Sequence, residues 1–382
     1  MMRILAFAAS CVVLSGFASR AGAAQFGSYG SRSGQFIEPQ GIAVEQESGD
    51  VYVLDSNNHR VEKYTSGGRF LYAWGWGVAD GKTQALQVCT TECHAGLAGA
   101  GAGQLGFAEG VAVDNEPSSP SYKDVYVVDI GQRRVEKFNP AGEFLLMLGG
   151  GVNETARERG ERANEDVCPV KPGDRCGEGS RATTPRHFSF HSEGDFVAVG
   201  QGGTVYVGDF NRVQEFSPEG TYERQVTFPA PSADGPEVGG IPGLAVNSTG
   251  DLYVIRNGTE GVTEYTSTGT LLRTLDSEGT TENTEGPTPA MTLDSLGDLF
   301  VDEHRPELHR IVEYDSGGDQ VASFDVGMED GLHGLAFGDR AGLLYVVNTN
   351  NNVSPVVARV RIVRPSAVEP LAACGWCGWT GG

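Results

Sequence analysis

Apolar residues along this chain come in short runs broken by Gly, Asn, Asp and Pro, and the runs recur. Gly41-Ile42-Ala43-Val44 is followed by Val51-Tyr52-Val53-Leu54-Asp55, then by Asn58-His59-Arg60-Val61-Glu62-Lys63-Tyr64. The same order returns as Gly110-Val111-Ala112-Val113, Val125-Tyr126-Val127-Val128-Asp129 and Arg134-Val135-Glu136-Lys137-Phe138. Runs this short, rich in β-branched and aromatic residues and bounded by turn formers, predict strands rather than helices. A fourth run follows a Gly turn in each copy, Phe70–Trp74 and Phe144–Leu148. Four strands repeating at 40-odd residues make the blade of a β-propeller.

Six blades are laid out this way. Inner strands are expected at Gly41–Val44, Gly110–Val113, Phe196–Val199, Gly243–Val246, Ala290–Leu293 and Gly334–Phe337. Second strands centre on Tyr52, Tyr126, Tyr206, Tyr253, Phe300 and Tyr345. Small residues alternate with bulky ones in the inner strands, as crowding near a central axis demands. Blade six has no fourth strand of its own after Val363. Residues 25–30, which precede blade one, are expected to supply it and close the ring, which removes a free sheet edge. The fold class expected is all-β, a six-bladed propeller of four-stranded blades.

The motif Pro39-x-Gly41-Ile42-Ala43-Val44, Val51-Tyr52-Val53-x-Asp55, Asn58-His59-Arg60-Val61 resembles the NHL repeat, the unit of six-bladed NHL propellers. The resemblance covers about residues 25–364, most sharply in blades one to three. It implies a ring that works by binding or, in some relatives, as an enzyme with metal-bound histidines in its channel.

The ends and the intervals between blades refine the picture. Residues 1–24 read as a signal peptide: Arg3, an apolar stretch to Phe17 and a small-residue site at Ala21-Gly22-Ala23. Export is therefore expected, without stable membrane insertion. Residues 25–364 form the propeller and 365–382 a tail. Inner strands are 69 residues apart between blades one and two and 86 between two and three, against 44 to 47 later. The excess lies in insertions 75–106 and 149–190, on the connections that share one face with the channel mouth. Such loops are where repeat proteins place recognition. Cysteines pair closely in sequence as Cys89–Cys93, Cys168–Cys176 and Cys374–Cys377, which reads as local disulfides in an exported chain.

The formal net charge is −22, and −24 once Arg3 and Arg20 leave with the signal. That repels nucleic acid and anionic lipid. Asp55 with Arg60, Asp129 with Arg134, and Asp209 with Arg212 flank the turn between second and third strands. They are assigned a structural role as charge-assisted ties, because blade four loses both partners together, at Arg256 and Gly261. The residues before the inner strands, Gln40, Glu109, Asp195 and His333, should ring the mouth, with Trp76 beside them. The first reading is an exported, monomeric binding module for a protein, peptide or glycan, needing no cofactor. The alternative is a metal-dependent lyase or hydrolase (a lactonase, for example) in which Glu109, Asp195 and His333 hold calcium or zinc.

Overall fold

The computed structural model describes residues 24–190, 197–229, 240–256, 261–275, 290–305, 308–325, 332–349 and 355–362. They form six antiparallel sheets with neighbouring strands in chain order, except that the first strand, Ala24–Phe26, joins the last three. The inner strands are Pro39–Glu45, Ala108–Val113, Val197–Val199, Gly243–Val246, Met291–Leu293 and Leu332–Gly338. Each contacts the next, and the last returns to the first, so the six sheets are the blades of a propeller. They surround a central cavity of about 200 Å³.

The alternation of small and bulky residues has a lateral cause. Ile42 and Val44 pack towards blade six, with Ala336 and Tyr345, whereas Ala43 joins the seam with blade two beside Val111 and Trp74. A Cβ on Gly41 would lie 2.7 Å from the Glu109 carbonyl oxygen, and one on Gly334 would lie 2.7 Å from that of Gln40. Glycine there lets neighbouring inner strands approach backbone to backbone. The cavity walls are mainly aliphatic, with Gln46, Asn115 and Thr292 among them. Gln46 and Asn115 are already engaged. The Gln46 amide nitrogen donates to the Phe337 carbonyl at 2.7 Å, and that of Asn115 to Val44 at 2.9 Å, which ties blades six, one and two together.

Blades one and two differ from expectation. Each has five strands, because the insertions supply Leu86–Cys89 and Val167–Cys168 as an outermost strand. An insertion that would otherwise hang in solvent thereby satisfies part of its backbone on the sheet edge. In blade six, Ala24–Phe26 lies antiparallel on Val356–Arg361, with Phe26 opposite Val357. The Phe26 ring also meets Tyr64 of blade one, centroids 4.7 Å apart. This short strand therefore touches both the last and the first blade. Deleting residues 24–26 is expected to lower the melting temperature by several degrees. A truncated protein that melts together with the intact one would refute that role.

Candidate functional site at the channel mouth

The mouth face is organised by three arginines. Asp55 ends the second strand of blade one and Arg60 begins the third, directly opposite in register. Their side chains pair at 2.9 Å, fully buried. Asp55 also accepts from the Ile37 amide at 2.8 Å. Arg60 reaches further than its own turn. Its guanidinium donates to the carbonyls of Ser31, Arg32 and Gln35 at 2.7 to 2.9 Å, and to that of His94 in the first insertion at 2.9 Å. Arg134 repeats the arrangement one blade on. It faces Asp129 at 3.6 Å and donates to Ala100, Gly101 and Gln104 in the first insertion and to Gly177 in the second. Arg212 pairs with Asp209 at 2.8 Å and donates to Thr183 and His187 in the second insertion. The planar fork of Arg, with five donors, suits it to gather carbonyls from separate loops. The structural assignment thus extends beyond the turn: the segment after the second cysteine of each insertion is held by two buried guanidinium groups, one from each flanking blade.

Each arginine of the first two blades also faces a glutamate. Glu62 lies 2.8 Å from Arg60, without the alignment of a hydrogen bond, and Tyr64 donates to its other oxygen. Glu136 stands likewise beside Arg134. One cation between two carboxylates leaves a negative charge in a dry site, and burial disfavours it. Burial accordingly pushes Asp55 up to about 6 and both Glu62 and Glu136 up to about 8, against the pull of the arginines. Burial thus favours the protonated form of each glutamate over a second carboxylate charge beside the same arginine. Blade three carries the neutral equivalent, Gln214, whose amide donates to His187 at 2.9 Å.

The two insertions follow one plan. Cys89 lies opposite Ala73, and Cys168 opposite Met147, at matching places on the fourth strands. Disulfides join Cys89 to Cys93 and Cys168 to Cys176. The His94 amide then donates to Val78, and the Gly177 amide to Val152. Two residues later Gly96 donates to Asn58 and Gly179 to Gln132. A Cβ on Gly96 would lie 2.4 Å from the His59 carbonyl oxygen, and one on Gly179 would lie 2.1 Å from that of Arg133. Only glycine lets either loop dock on its turn. The sequence signal is Gly75-Trp76-Gly77-Val78 against Gly149-Gly150-Gly151-Val152, followed by Cys-x-x-Gly in both. Unequal lengths between the cysteines conceal it.

Of the residues expected around the mouth, Gln40, Glu109 and His333 are half-buried. Each falls where its inner strand bulges against the second strand, between Pro39 and Ile42, Ala108 and Gly110, and Leu332 and Gly334. A bulge re-aims the side chain it carries. Asp195 and the Cys374–Cys377 pair lie outside the described residues. Among the described residues no three carboxylate, imidazole or thiol groups converge as a metal set. Trp76 is half-buried, and its indole nitrogen donates to the Ala102 carbonyl at 2.9 Å, so it anchors the entry to blade two.

Residues 36–64, the first copy of the motif with its Asp55–Arg60 turn, match the family model of the NHL repeat. The chain carries an NHL repeat. Over 51 residues the chain is 43% identical to Protein brain tumor of Drosophila melanogaster, which is 13% of this chain and 5% of that one. Over 48 residues, identity is 46% with B-box type zinc finger protein ncl-1 of Caenorhabditis elegans, 13% of this chain and 6% of that one. The likeness therefore spans a small fraction of those relatives' length. Solved structures that align with the NHL-repeat chain include virginiamycin B lyase from Staphylococcus aureus, with TM-score 0.47, 12% identity and coverage of 87% of this chain and 98% of that one. A gluconolactonase from Xanthomonas campestris aligns with TM-score 0.49, 12% identity and coverage of 85% and 87%.

Proposed function

We propose that this chain is an exported, monomeric binding module that recognises a protein, peptide or glycan with the face bearing the two insertions. The observation that carries the reading is the duplicated anchoring. Two loops of one plan, each closed by a disulfide and held after its second cysteine by buried arginines of both flanking blades, present a preorganised surface on one side of the ring. Preorganisation reduces the entropy that binding must overcome. Disulfides suit an oxidising compartment outside the cytoplasm, in keeping with export. The test is affinity capture with the mature chain beside a chain whose insertions are shortened outside their arginine-held segments, both checked by thermal unfolding. A partner identified with the intact chain should bind at least about tenfold more weakly to the shortened one. Equal binding would overturn the reading.

The alternative, a metal-dependent lyase or hydrolase at the channel, draws on the bulges that carry Glu109 and His333 at the same place in their blades. Metal analysis of the purified protein beside His333→Ala tests it. One metal ion per chain, lost in the variant, is the expected result under this alternative. No metal in either protein would reject the metal set.

A further inference from the structure

The second insertion differs from the rest of the molecule in charge. Residues 149–190 hold seven Lys and Arg and seven Asp and Glu, so the whole net charge of the mature chain lies elsewhere. The two signs are also sorted by depth. All seven basic residues are exposed, whereas only Glu158 and Glu178 of the acids are, the other five being half-buried.

The reason is visible in the hydrogen bonds. The acids hold the loop's own backbone and caps. Asp166 accepts from the Gly151 amide at 2.9 Å, and Asp174 accepts from Asn153 at 3.0 Å and from the amides of Val170 and Lys171 at 3.1 and 2.8 Å. Those bonds keep the Asp174 carboxyl below its usual range. The arginines remain outside. Arg175 reaches Glu154 and Glu158, Arg159 is 3.9 Å from Asp174, Lys171 pairs with Glu161 at 2.7 Å and Arg186 with Asp166 at 3.6 Å, each basic side chain about half exposed. Exposed pairs of this kind contribute little and exchange partners readily. Arg157 and Arg162 have no carboxylate within ion-pair distance among the described residues, Arg157 only grazing the Gly151 carbonyl at 3.4 Å. Charges beyond about 8 Å are screened at physiological salt, so an approaching ligand meets this basic skin and not the net negative charge. Val170, 46% exposed between Pro169 and Pro172, adds an apolar contact beside it.

We propose that the second insertion is the reading surface for an acidic peptide segment, whose carboxylates pair with Arg157, Arg162 and their neighbours while an apolar side chain rests on Val170. This inference rests on the binding-module reading above and names its partner class. Arginine forks suit carboxylates bidentately, and the surrounding acidic surface repels the same peptide everywhere else, which orients it.

The test uses the intact mature protein and a fluorescein-labelled oligoglutamate followed by anisotropy, with polygalacturonate as a second anionic probe. Binding of oligoglutamate that weakens with added salt, and at least about tenfold in Arg157→Glu/Arg162→Glu, is the expected result. Arg69→Glu, an exposed basic residue outside the insertions, should leave it unchanged. Absence of oligoglutamate binding, indifference to the double reversal, or binding of polygalacturonate alone would each overturn the proposal. A captured natural partner that survives the double reversal but is lost on shortening the insertions would overturn the acidic-peptide inference and leave the binding face standing.

Discussion

Asp302→Leu is expected to stabilise the protein, and by more at pH 9 than at pH 5. Asp302 is 1% exposed, and neither of its carboxylate oxygens has a hydrogen-bond partner among the described residues. It lies two residues beyond Phe300 on the second strand of blade five and so shares that face of the strand. Phe300 packs in the seam towards blade six with Ile311, Leu332 and Leu335. In four of the other five blades the equivalent position is Leu54, Val128, Ile255 or Val347, all fully buried, and in blade three it is Gly208. A polar group has thus taken a hydrocarbon's place. Burial first, and then neighbouring Glu303, pushes its pKa up to about 8. Glu303 itself is matched, pairing with Arg310 at 2.6 Å.

The sign of the pH effect follows. An acid whose folded pKa lies above its unfolded value binds more protons in the native state. Its relative contribution is fully present below the unfolded pKa, near 4, and is lost as pH rises through 8. Below about pH 4 the leucine variant gains only by removing a neutral, unpaired polar group, roughly 2 kcal/mol. Above that the wild type weakens and the variant does not, so the gap widens until about pH 8 and then levels. Glu62 and Glu136 titrate in both proteins and cancel from the difference. Urea unfolding at pH 5, 7 and 9 checks this, with Asp302→Asn as comparator, which should flatten the pH dependence with a smaller gain than leucine at each pH. A leucine variant no more stable than wild type at pH 9 would show that Asp302 finds a partner in solution.

Arg134→Ala should be among the most destabilising single substitutions. It strands Glu136, removes the cation beside Asp129 and releases four carbonyls from both insertions. Breaking one side of a buried charge cluster costs about 3–5 kcal/mol. The loss should be local as well as global. Hydrogen exchange at residues 94–104 and 177–180 is expected to accelerate while the sheet of blade four stays protected. Arg134→Lys should recover little, since one ammonium cannot span carbonyls on separate loops. Insertions that remain protected in Arg134→Ala would mean that their disulfides and glycine docking suffice without the arginine.

Blade count, strand order and turn positions were legible in the chain because each blade is assembled from neighbours in sequence, and alternation together with Gly and Asn punctuation reports such local pairing directly. The Asp–Arg ties were legible for the same reason: their partners are separated by only a few residues, and blade four loses both. Blade five shows the limit of that reading. Its tie is kept as Glu303–Arg310, and the acid beside it, Asp302, passes unnoticed in a run of charged residues until the register shows which of the two faces the seam.

Tertiary structure alone decided the rest. That Arg60, Arg134 and Arg212 reach across to loops some 25 to 43 residues away, that a fifth strand completes two of the blades, and that the second insertion turns its acids inward and its arginines outward all depend on contacts between segments remote in sequence. Composition shows that insertion as neutral; the sign it presents to a partner is set by which side chains the fold recruits to satisfy its backbone.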